Sequence, residues 1–565
     1  MKKMPKILIL TIILISSCSE DFLNKPLYNE LNTSIFWKTE EDAKAALMAA
    51  YEATAWYFET PVTTGGVYGG WLYRLDYSAV DLSHPGGFTG PTAWEPVYDY
   101  TFTSSTAPMF RALWVGHYIV IQRANQVIVS LPEMDIDENE KSRMISEAMF
   151  LRALMYHNLV QLWGDVPYLD YLPSGDKLYA PRTSQLEVYD HIINDLETAI
   201  PNLPLSWSGT DLGRATEGAA RLLLAKVFLS RGGYLVDVAS GEWLKERDAS
   251  SSENWGKALD YSQSVIDMGK YNLWQDEDLG SGRLLGAIPE QAKNADKIRN
   301  GYQAAFWCEN DGDLVNGESL FEIQYVSYWP GRWNAGSLMQ EGSNINDFDI
   351  PATVNNYGGV VHNGYTSNFP LQGLIDSYEP GDKRKEATLL APGDTLWLRQ
   401  WSDQLPNQEG YFVWNGDQGS YGSSFGSAGY MCSKWVWGYT DERESSPVNY
   451  KVLRYADAYL IKAEALNEMG RTSEAYEPLN IIRRRAGLPE LSGLTQPELR
   501  DRIYLERKLE FAFEINRYFD AKRSGKLAEW VENDRGLSIP RYKFLLPIPQ
   551  EALDLDPELV QNFGY

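Results

Sequence analysis

Cysteine is nearly absent. Only Cys18, Cys308 and Cys432 occur in 565 residues. Three thiols so far apart define neither a disulfide scaffold nor a cysteine-rich metal cluster, both of which need closely spaced partners. Histidine is equally sparse. His84, His117, His157, His191 and His362 are scattered along the chain, and His157 and His191 fall in helical stretches, as packed or surface residues rather than ligands. The sequence holds no HExxH or CxxC motif and no P-loop, and its one G-x-S-x-G match, Gly422 to Gly426, falls in the glycine-serine tract GDQGSYGSSFGSAGY rather than on a strand-to-helix elbow, so the commonest signatures of metalloprotease, thiol redox, hydrolase and nucleotide chemistry are missing. Positive charge is in deficit, with 51 Lys plus Arg against 77 Asp plus Glu and a formal net charge of -26. A field of that sign argues against nucleic acid as a partner and repels anionic polymers generally.

Long apolar runs are lacking too. Ile7 to Ile15 is an unbroken stretch of Ile, Leu and Thr, too short to cross a bilayer as a helix. Preceded by Lys2, Lys3 and Lys6 and followed by Ser16, Ser17 and Cys18, it reads as a secretion signal over residues 1–17. A cysteine directly after the apolar run resembles a bacterial lipoprotein signal, with cleavage before Cys18 and acylation of that residue; the plain alternative is a secretory signal with an incidental cysteine. Two or three acyl chains would anchor the protein firmly. Removing residues 1–17 takes off three lysines and no acid, so -26 becomes -29. Cys308 and Cys432 would then remain, either paired or buried and free.

What is plentiful is helical periodicity. Leu453, Ala456, Leu460, Ala463 and Leu466 recur three to four apart, Gly470 stops that helix, and a second carries Ala475, Leu479 and Ile482 before Gly487-Leu488-Pro489. The pair is a helical hairpin of about 34 residues with alanine where helices approach, as in a tetratricopeptide unit. A third helix is expected over Gln496–Ser524. Glu506, Glu510, Glu514, Arg517, Asp520 and Arg523 would ladder along one side of it and tie helices together rather than form a catalytic site. Upstream, helices are expected from the Thr39–Asp42 cap through Tyr57, and over Phe110–Val129, Glu138–Leu162, Ser184–Ile200, Thr216–Ser230 and Asn254–Met268. Neighbouring units should share a core.

Five segments follow. Residues 1–17 are the signal, and 18–38 a tether that drapes over the domain. Residues 39–279 are a helical repeat region with inserted aromatic loops, and 280–449 a loop-rich subdomain with little β-structure. Residues 450–565 hold the hairpin, the charged helix and a tail that Pro547 and Pro549 keep extended across the helices. The fold class is mainly α. Within 280–449, Glu318 to Tyr325 alternates like a strand, and NFPLQGLIDSYEPGDKR reads as a short helix and turn.

Aromatics are abundant, with 19 Trp and 35 Tyr. Several sit among glycines and prolines rather than on a helix stripe, in GGVYGGWLYRLDY, SHPGGFTGPTAW and SYWPGRWNAGS. Flat rings on loops suit the apolar C–H face of a sugar, while amides, carboxylates and guanidiniums bond its hydroxyls. The candidate ligand-binding residues are Trp71, Tyr73, Trp94, Trp307, Trp329 and Trp333, with Asp81, Arg332 and Asn334 as polar partners. Each such ring could equally pin its own loop to the core. Trp114, Trp163 and Trp255 lie in or beside helices and belong to the core. No catalytic residue, metal or cofactor is assigned. Asn310-Asp311-Gly312-Asp313 hints at calcium but lacks the ligand ladder and terminal Glu of an EF-hand loop.

The chain resembles the SusD/RagB family of outer-membrane lipoproteins from end to end. The resemblance begins with Cys18, Asp21-Phe22-Leu23 and Pro26. It continues through Trp114, Ile121 and Ala124-Asn125, Ser319 to Tyr325, then Leu374, Tyr378, Asp382 and Arg384, and Arg454 to Leu466. Its most specific pieces are Arg483 and Arg485 to Leu488, Glu506-Arg507, Glu510, Phe513-Glu514, Arg517, Asp520, Arg523, Leu546 to Pro549 and the end Gln561-Asn562, Gly564-Tyr565. The resemblance implies tetratricopeptide-type helix pairs backing a loop-rich subdomain, and a location on the outer face of the outer membrane. It also implies non-catalytic capture of a nutrient, most often a glycan, for a TonB-dependent barrel transporter. The other readings are a peptide-binding component of a similar importer, a secreted hydrolase with an unrecognised carboxylate pair, and a purely structural repeat scaffold.

Overall fold

Acids and hydroxyls start the long helices by satisfying amides that a first turn leaves unpaired. Thr39 and Asp42 bond each other's backbone amides, Asp137 accepts from Asn139 and Glu140, and Thr216 accepts from Ala219. Thr495 and Glu498 form a capping box. The computed structural model describes residues 36–55, 71–85, 95–105, 108–247, 249–278, 300–306, 317–324, 368–400, 408–413, 429–435, 438–440 and 449–565.

The long helices are α1 (Glu40–Ala55), α2 (Trp71–Ala79), α3 (Pro108–Ser130), α4 (Glu138–Trp163), α5 (Gln185–Ala199), α6 (Glu217–Arg231), α7 (Ala249–Asp267), α8 (Tyr455–Glu468), α9 (Thr472–Arg485) and α10 (Gln496–Glu510). Two shorter ones follow, α11 (Arg517–Arg523) and α12 (Leu527–Arg535). From α3 to α9 each helix packs on the next, and the array runs straight from α7 to α8 across the long interruption between them. Small residues make the close approach possible. Ala219, Ala220 and Ala225 in α6 and Ala456, Ala458, Ala463 and Ala465 in α8 are fully buried. One continuous core includes residues from the upstream helices, the interruption and the C-terminal helices, such as Leu159, Leu389 and Leu460. A smaller core joins α1, α3 and α4 through Leu47, Val127 and Met144.

The β-structure is slight. Strand β1 (Ser319–Ile323) pairs antiparallel with β2 (Tyr450–Arg454), tying the interruption to the strand that leads into α8. Thr395–Gln400 pairs with Gln408–Val413 and, in parallel, with Gly438–Thr440. The remaining pairings, such as Ser83–Pro85 with Asn368–Pro370, are two or three residues long. The tail crosses the array between short helical turns at Arg541–Phe544 and Gln550–Leu555. Leu546 donates to Leu162, Trp163 Nε1 donates to Pro547, and Asn562 bonds both Trp163 and Leu546. Gly164 ends α4 at φ +75°, where any Cβ would meet Val238 at 2.6 Å.

Three expectations need correction. The glycine-flanked stretch after residue 70 is a helix, α2, not a loop. Tyr73 to Ser78 alternates apolar and polar residues as a strand would, and residues 72–80 are all buried, so the helix has no solvent-facing polar side to announce it. The expected helix over Gln496–Ser524 is two helices, α10 and α11, separated by a turn. The periodic stretch at Leu453 begins as strand β2, and α8 starts only at Tyr455.

Candidate ligand-binding site

The turn at Phe511–Asn516 is the structural centre of the molecule. Phe513 and Ile515 have φ of +64° and +58°, a left-handed conformation costing a side-chain-bearing residue roughly 1–2 kcal/mol. Tertiary contacts hold it. Glu510 O accepts from Tyr302 at 2.6 Å, Lys434 at 3.1 Å and Arg454 at 3.1 Å, and Ala512 O accepts from Lys434 at 2.8 Å. Phe513 O accepts from Tyr77 at 2.6 Å and Trp435 at 2.8 Å, and Glu514 O accepts from Tyr450 at 2.5 Å. A helix end leaves carbonyls without partners, and these are supplied by side chains from four distant segments. Tyr77 also packs edge-on against Phe513, with centroids 4.9 Å apart.

Buried charge surrounds this turn. Arg454 bonds Glu510 at 2.9 Å and Glu514 at 2.6 Å, and also pairs with Glu318. Arg485 bonds Glu318 at 2.8 Å and pairs with Glu510, while Arg384 bonds Asp382 at 2.7 Å and Glu506 at 2.9 Å. Lys434 pairs with Glu514. The expected ladder along one helix is therefore corrected: Asp520 and Arg523 do meet at helical spacing, but the other ties run between elements. Tying helices together is what these charges do. Burial opposes ionisation of Glu510, yet Arg485, Arg454 and Arg384 outweigh it and draw its pKa down to about 2. Burial pushes Lys434 down to about 8, with Glu514 offsetting part of the effect.

These contacts gather the roots of the aromatic loops. Tyr77 belongs to α2, which precedes Trp94. Gly301–Phe306, with Tyr302, precedes Trp307, and β1, reached by Arg454 through Glu318, precedes Trp329. Arg535 of α12 joins the described segments on either side of Trp94, bonding Tyr98 O at 2.5 Å, Val80 O at 2.7 Å and Ala79 O at 2.8 Å. Trp94, Trp307, Trp329, Arg332, Trp333 and Asn334 themselves lie outside the described residues, as do Cys18, Cys308 and Asn310–Asp313. Trp71 opens α2.

Tyr73 and Asp81 are corrected. Tyr73 is fully buried and leaves no ring face for a ligand. Asp81 bonds Arg517 at 2.7 Å through both oxygens and Lys508 at 3.0 Å. Burial resists its ionisation, but those two cations hold its carboxyl well below the usual carboxylate range. Both residues build the fold. Trp114, Trp163 and Trp255 lie in the core as expected. His157 is buried with Nε2 3.2 Å from Ser230 Oγ, and His191 stacks on Tyr168 with centroids 3.9 Å apart. Cys432 is a buried free thiol whose pKa burial pushes up to about 12. Among the described residues no three His, Cys, Asp or Glu side chains form a metal-binding group. The sequence reading missed the gripping residues Tyr77, Tyr302, Lys434, Trp435 and Tyr450. The available signal was a lone Lys-Trp pair after a glycine-serine tract.

Residues 324–565 match the model of the SusD family, and residues 88–229 match a family described as starch-binding associating with outer membrane. This chain belongs to the SusD/RagB family. A SusD-like protein, P2, of Formosa agariphila is 28% identical, with 100% of this chain and 98% of that protein covered. A SusD-like protein from Bacteroides fragilis superposes with a TM-score of 0.70 at 24% identity, covering 96% of this chain and 100% of the other. A laminarin-binding SusD-like protein superposes with a TM-score of 0.67 at 25% identity, covering 94% and 100%. The turn at Phe511–Asn516 and the acids around it from Glu506 to Glu514 lie inside the region matched to the SusD family.

Proposed function

We propose that the protein captures oligo- or polysaccharide at the cell surface and delivers it unaltered to a TonB-dependent transporter. It stands on the outer face of the outer membrane, held by acyl chains on Cys18. The observation that carries this reading is the SusD/RagB match, which joins a starch-binding family description to a laminarin-binding structural relative. The described geometry supports it: the segments that precede Trp94, Trp307 and Trp329 are all bonded to one turn or to its ion pairs. Stacking on a preorganised ring loses little conformational entropy. The gripping set is Trp71, Trp94, Trp307, Trp329 and Trp333, with Arg332 and Asn334 bonding hydroxyls.

Affinity electrophoresis through gels containing laminarin, starch or other neutral polysaccharides tests this directly. Retardation is expected in at least one gel, and replacing Trp94 and Trp333 together by Ala should weaken it at least about tenfold. A reducing-sugar assay after long incubation should show no new chain ends. Turnover of the retained polysaccharide, or retention unchanged in paired loop variants, would count against the proposal; binding only to peptide mixtures would reassign the cargo.

A further inference from the structure

The described residues also form a cleft. It is enclosed by the connection between α5 and α6, the residues just after α7, and β1, and has a volume of about 190 Å³. Two rings form its walls. Trp207 donates its indole N–H to Ala215 O at 2.8 Å, and the guanidiniums of Arg214 and Arg143 lie 4.1 and 5.2 Å from the ring centroid. Both guanidiniums also reach the same Glu147 Oε1, at 2.6 and 3.7 Å. Trp207 and Arg214 both line the cleft, so the ring and the guanidinium stacked on it present to it together. Tyr271 is the second wall. Its ring packs 5.9 Å from that of Tyr455, its hydroxyl lies 3.5 Å from Thr216 Oγ1, and Gly218 supplies the space it fills.

The polar lining is incompletely satisfied. Glu322 is only 7% exposed, and its Oε1, 3.4 Å from Lys451 Nζ, takes part in no hydrogen bond among the described residues. The buried Ser319 Oγ likewise finds no hydrogen-bond partner among them. Both oxygens are closed off from solvent, so they shape the floor of the cleft rather than reach a ligand. Gln324 also lines the cleft, and Lys270 stands exposed at its rim. Two rings beside the amide of Gln324 and the ammonium of Lys270 suit a ligand that is flat and apolar on its faces and rich in hydroxyls at its edge.

We propose that this cleft is a second saccharide site, accepting one sugar ring of the same glycan. It is smaller than the roughly 300–1,000 Å³ of pockets that enclose drug-sized ligands, so it takes one ring and not a run of them. The ligand class rests on the function proposed above. A second, weaker site on the same protein raises the apparent affinity for a long polymer that reaches both sites, whereas short oligomers fill the two sites independently.

Calorimetry with laminarihexaose and maltohexaose, and affinity gels with laminarin and starch, separate the two ideas. The proteins compared are wild type, Trp207→Ala with Tyr271→Ala, Lys270→Ala with Gln324→Ala, and the Trp94→Ala, Trp333→Ala loop pair, each checked by thermal melting. For a saccharide that wild type binds, the Trp207/Tyr271 pair should lose about tenfold or more in polysaccharide retention and lower the hexasaccharide stoichiometry by one site. The loop pair should keep weak binding that depends on Trp207. If the aromatic pair fails to fold, the rim pair, whose side chains carry little of the core, should still cut retention by about twofold to fivefold. Unchanged retention and stoichiometry in both cleft variants, with wild type binding normally, overturn the second site alone. No binding of any of the four probes by wild type overturns the glycan reading and this site with it.

Discussion

At the scale of single residues, burial decides what each charge does. Asp76 lies in the core with Oδ1 accepting from the Tyr518 amide at 2.7 Å, while Oδ2 has no hydrogen-bond partner among the described residues. Burial raises its pKa to about 7, and the amide only partly offsets this. A carboxyl whose folded pKa lies above its unfolded one contributes stability that is complete below about pH 4 and is lost as pH rises to about 7. Asp76→Asn should therefore flatten the stability profile between those limits and raise the urea midpoint at pH 8 relative to wild type, by a few kcal/mol at most. Asp81 has the opposite sign, because Arg517 and Lys508 hold it ionised: its contribution is present above about pH 4 and fades below it. A midpoint at pH 8 that does not rise in the Asp76 variant would show that the carboxyl is already neutralised by a partner. Asp81 was legible in the sequence as an acid near aromatics. What it faces was not, because its partners lie more than 400 positions away.

At the scale of elements, the break between α10 and α11 shows how tertiary bonds override helical propensity. Nothing in LERKLEFAFEINRYFD marks a stop: there is no glycine or proline, and the hydrophobic spacing continues. The stop is imposed by six side chains that take the freed carbonyls, and by Tyr77 packing on Phe513. By contrast, the end of α8 is local. Gly470 adopts φ +76° with nothing within 4 Å of a would-be Cβ, and Arg471 N bonds back to Leu466 O at 2.9 Å. Gly470→Ala should thus cost only the left-handed penalty, about 1–2 kcal/mol. Gly301→Ala has no such penalty, yet a Cβ there meets the Gln275 and Trp274 backbone at 2.5 and 2.6 Å. It should cost more than the Gly470 change and weaken ligand retention as well, because it displaces the root that carries Tyr302. Paired chemical denaturation and affinity gels on the two variants check the ordering; equal losses in both would show that the root is free to shift.

At the scale of the whole molecule, the buried ion network joins elements that the helical array alone would not connect. Ion pairs in a core gain little net stability over a hydrophobic filling, but removing one partner leaves the others charged and dry, at about 3–5 kcal/mol. Glu510 serves Arg384, Arg454 and Arg485 at once. Glu510→Gln should accordingly lower stability by about that amount and loosen glycan binding, whereas Glu474→Gln on the exposed Arg471 pair should change neither measurably. With its pKa near 2, Glu510 contributes stability above about pH 4 that disappears as pH falls toward 2, so acid unfolding should begin at higher pH in the variant, as followed by circular dichroism.

The helical array was legible because its signals are local: caps at Thr39, Ser184 and Thr216, stops at Gly164 and Gly470, and alanines at helical spacing are each written within a few residues. The candidate site was legible only as a composition, rings among glycines. Trp71, Tyr73 and Trp94 look alike in sequence, and Tyr73 proved to be core. The sequence by itself determined the repeat, the tail that closes it and the family. Only the tertiary structure decided where a helix breaks, which acids face which arginines and which rings are buried, because each of those depends on groups brought together from hundreds of residues apart into a space without water.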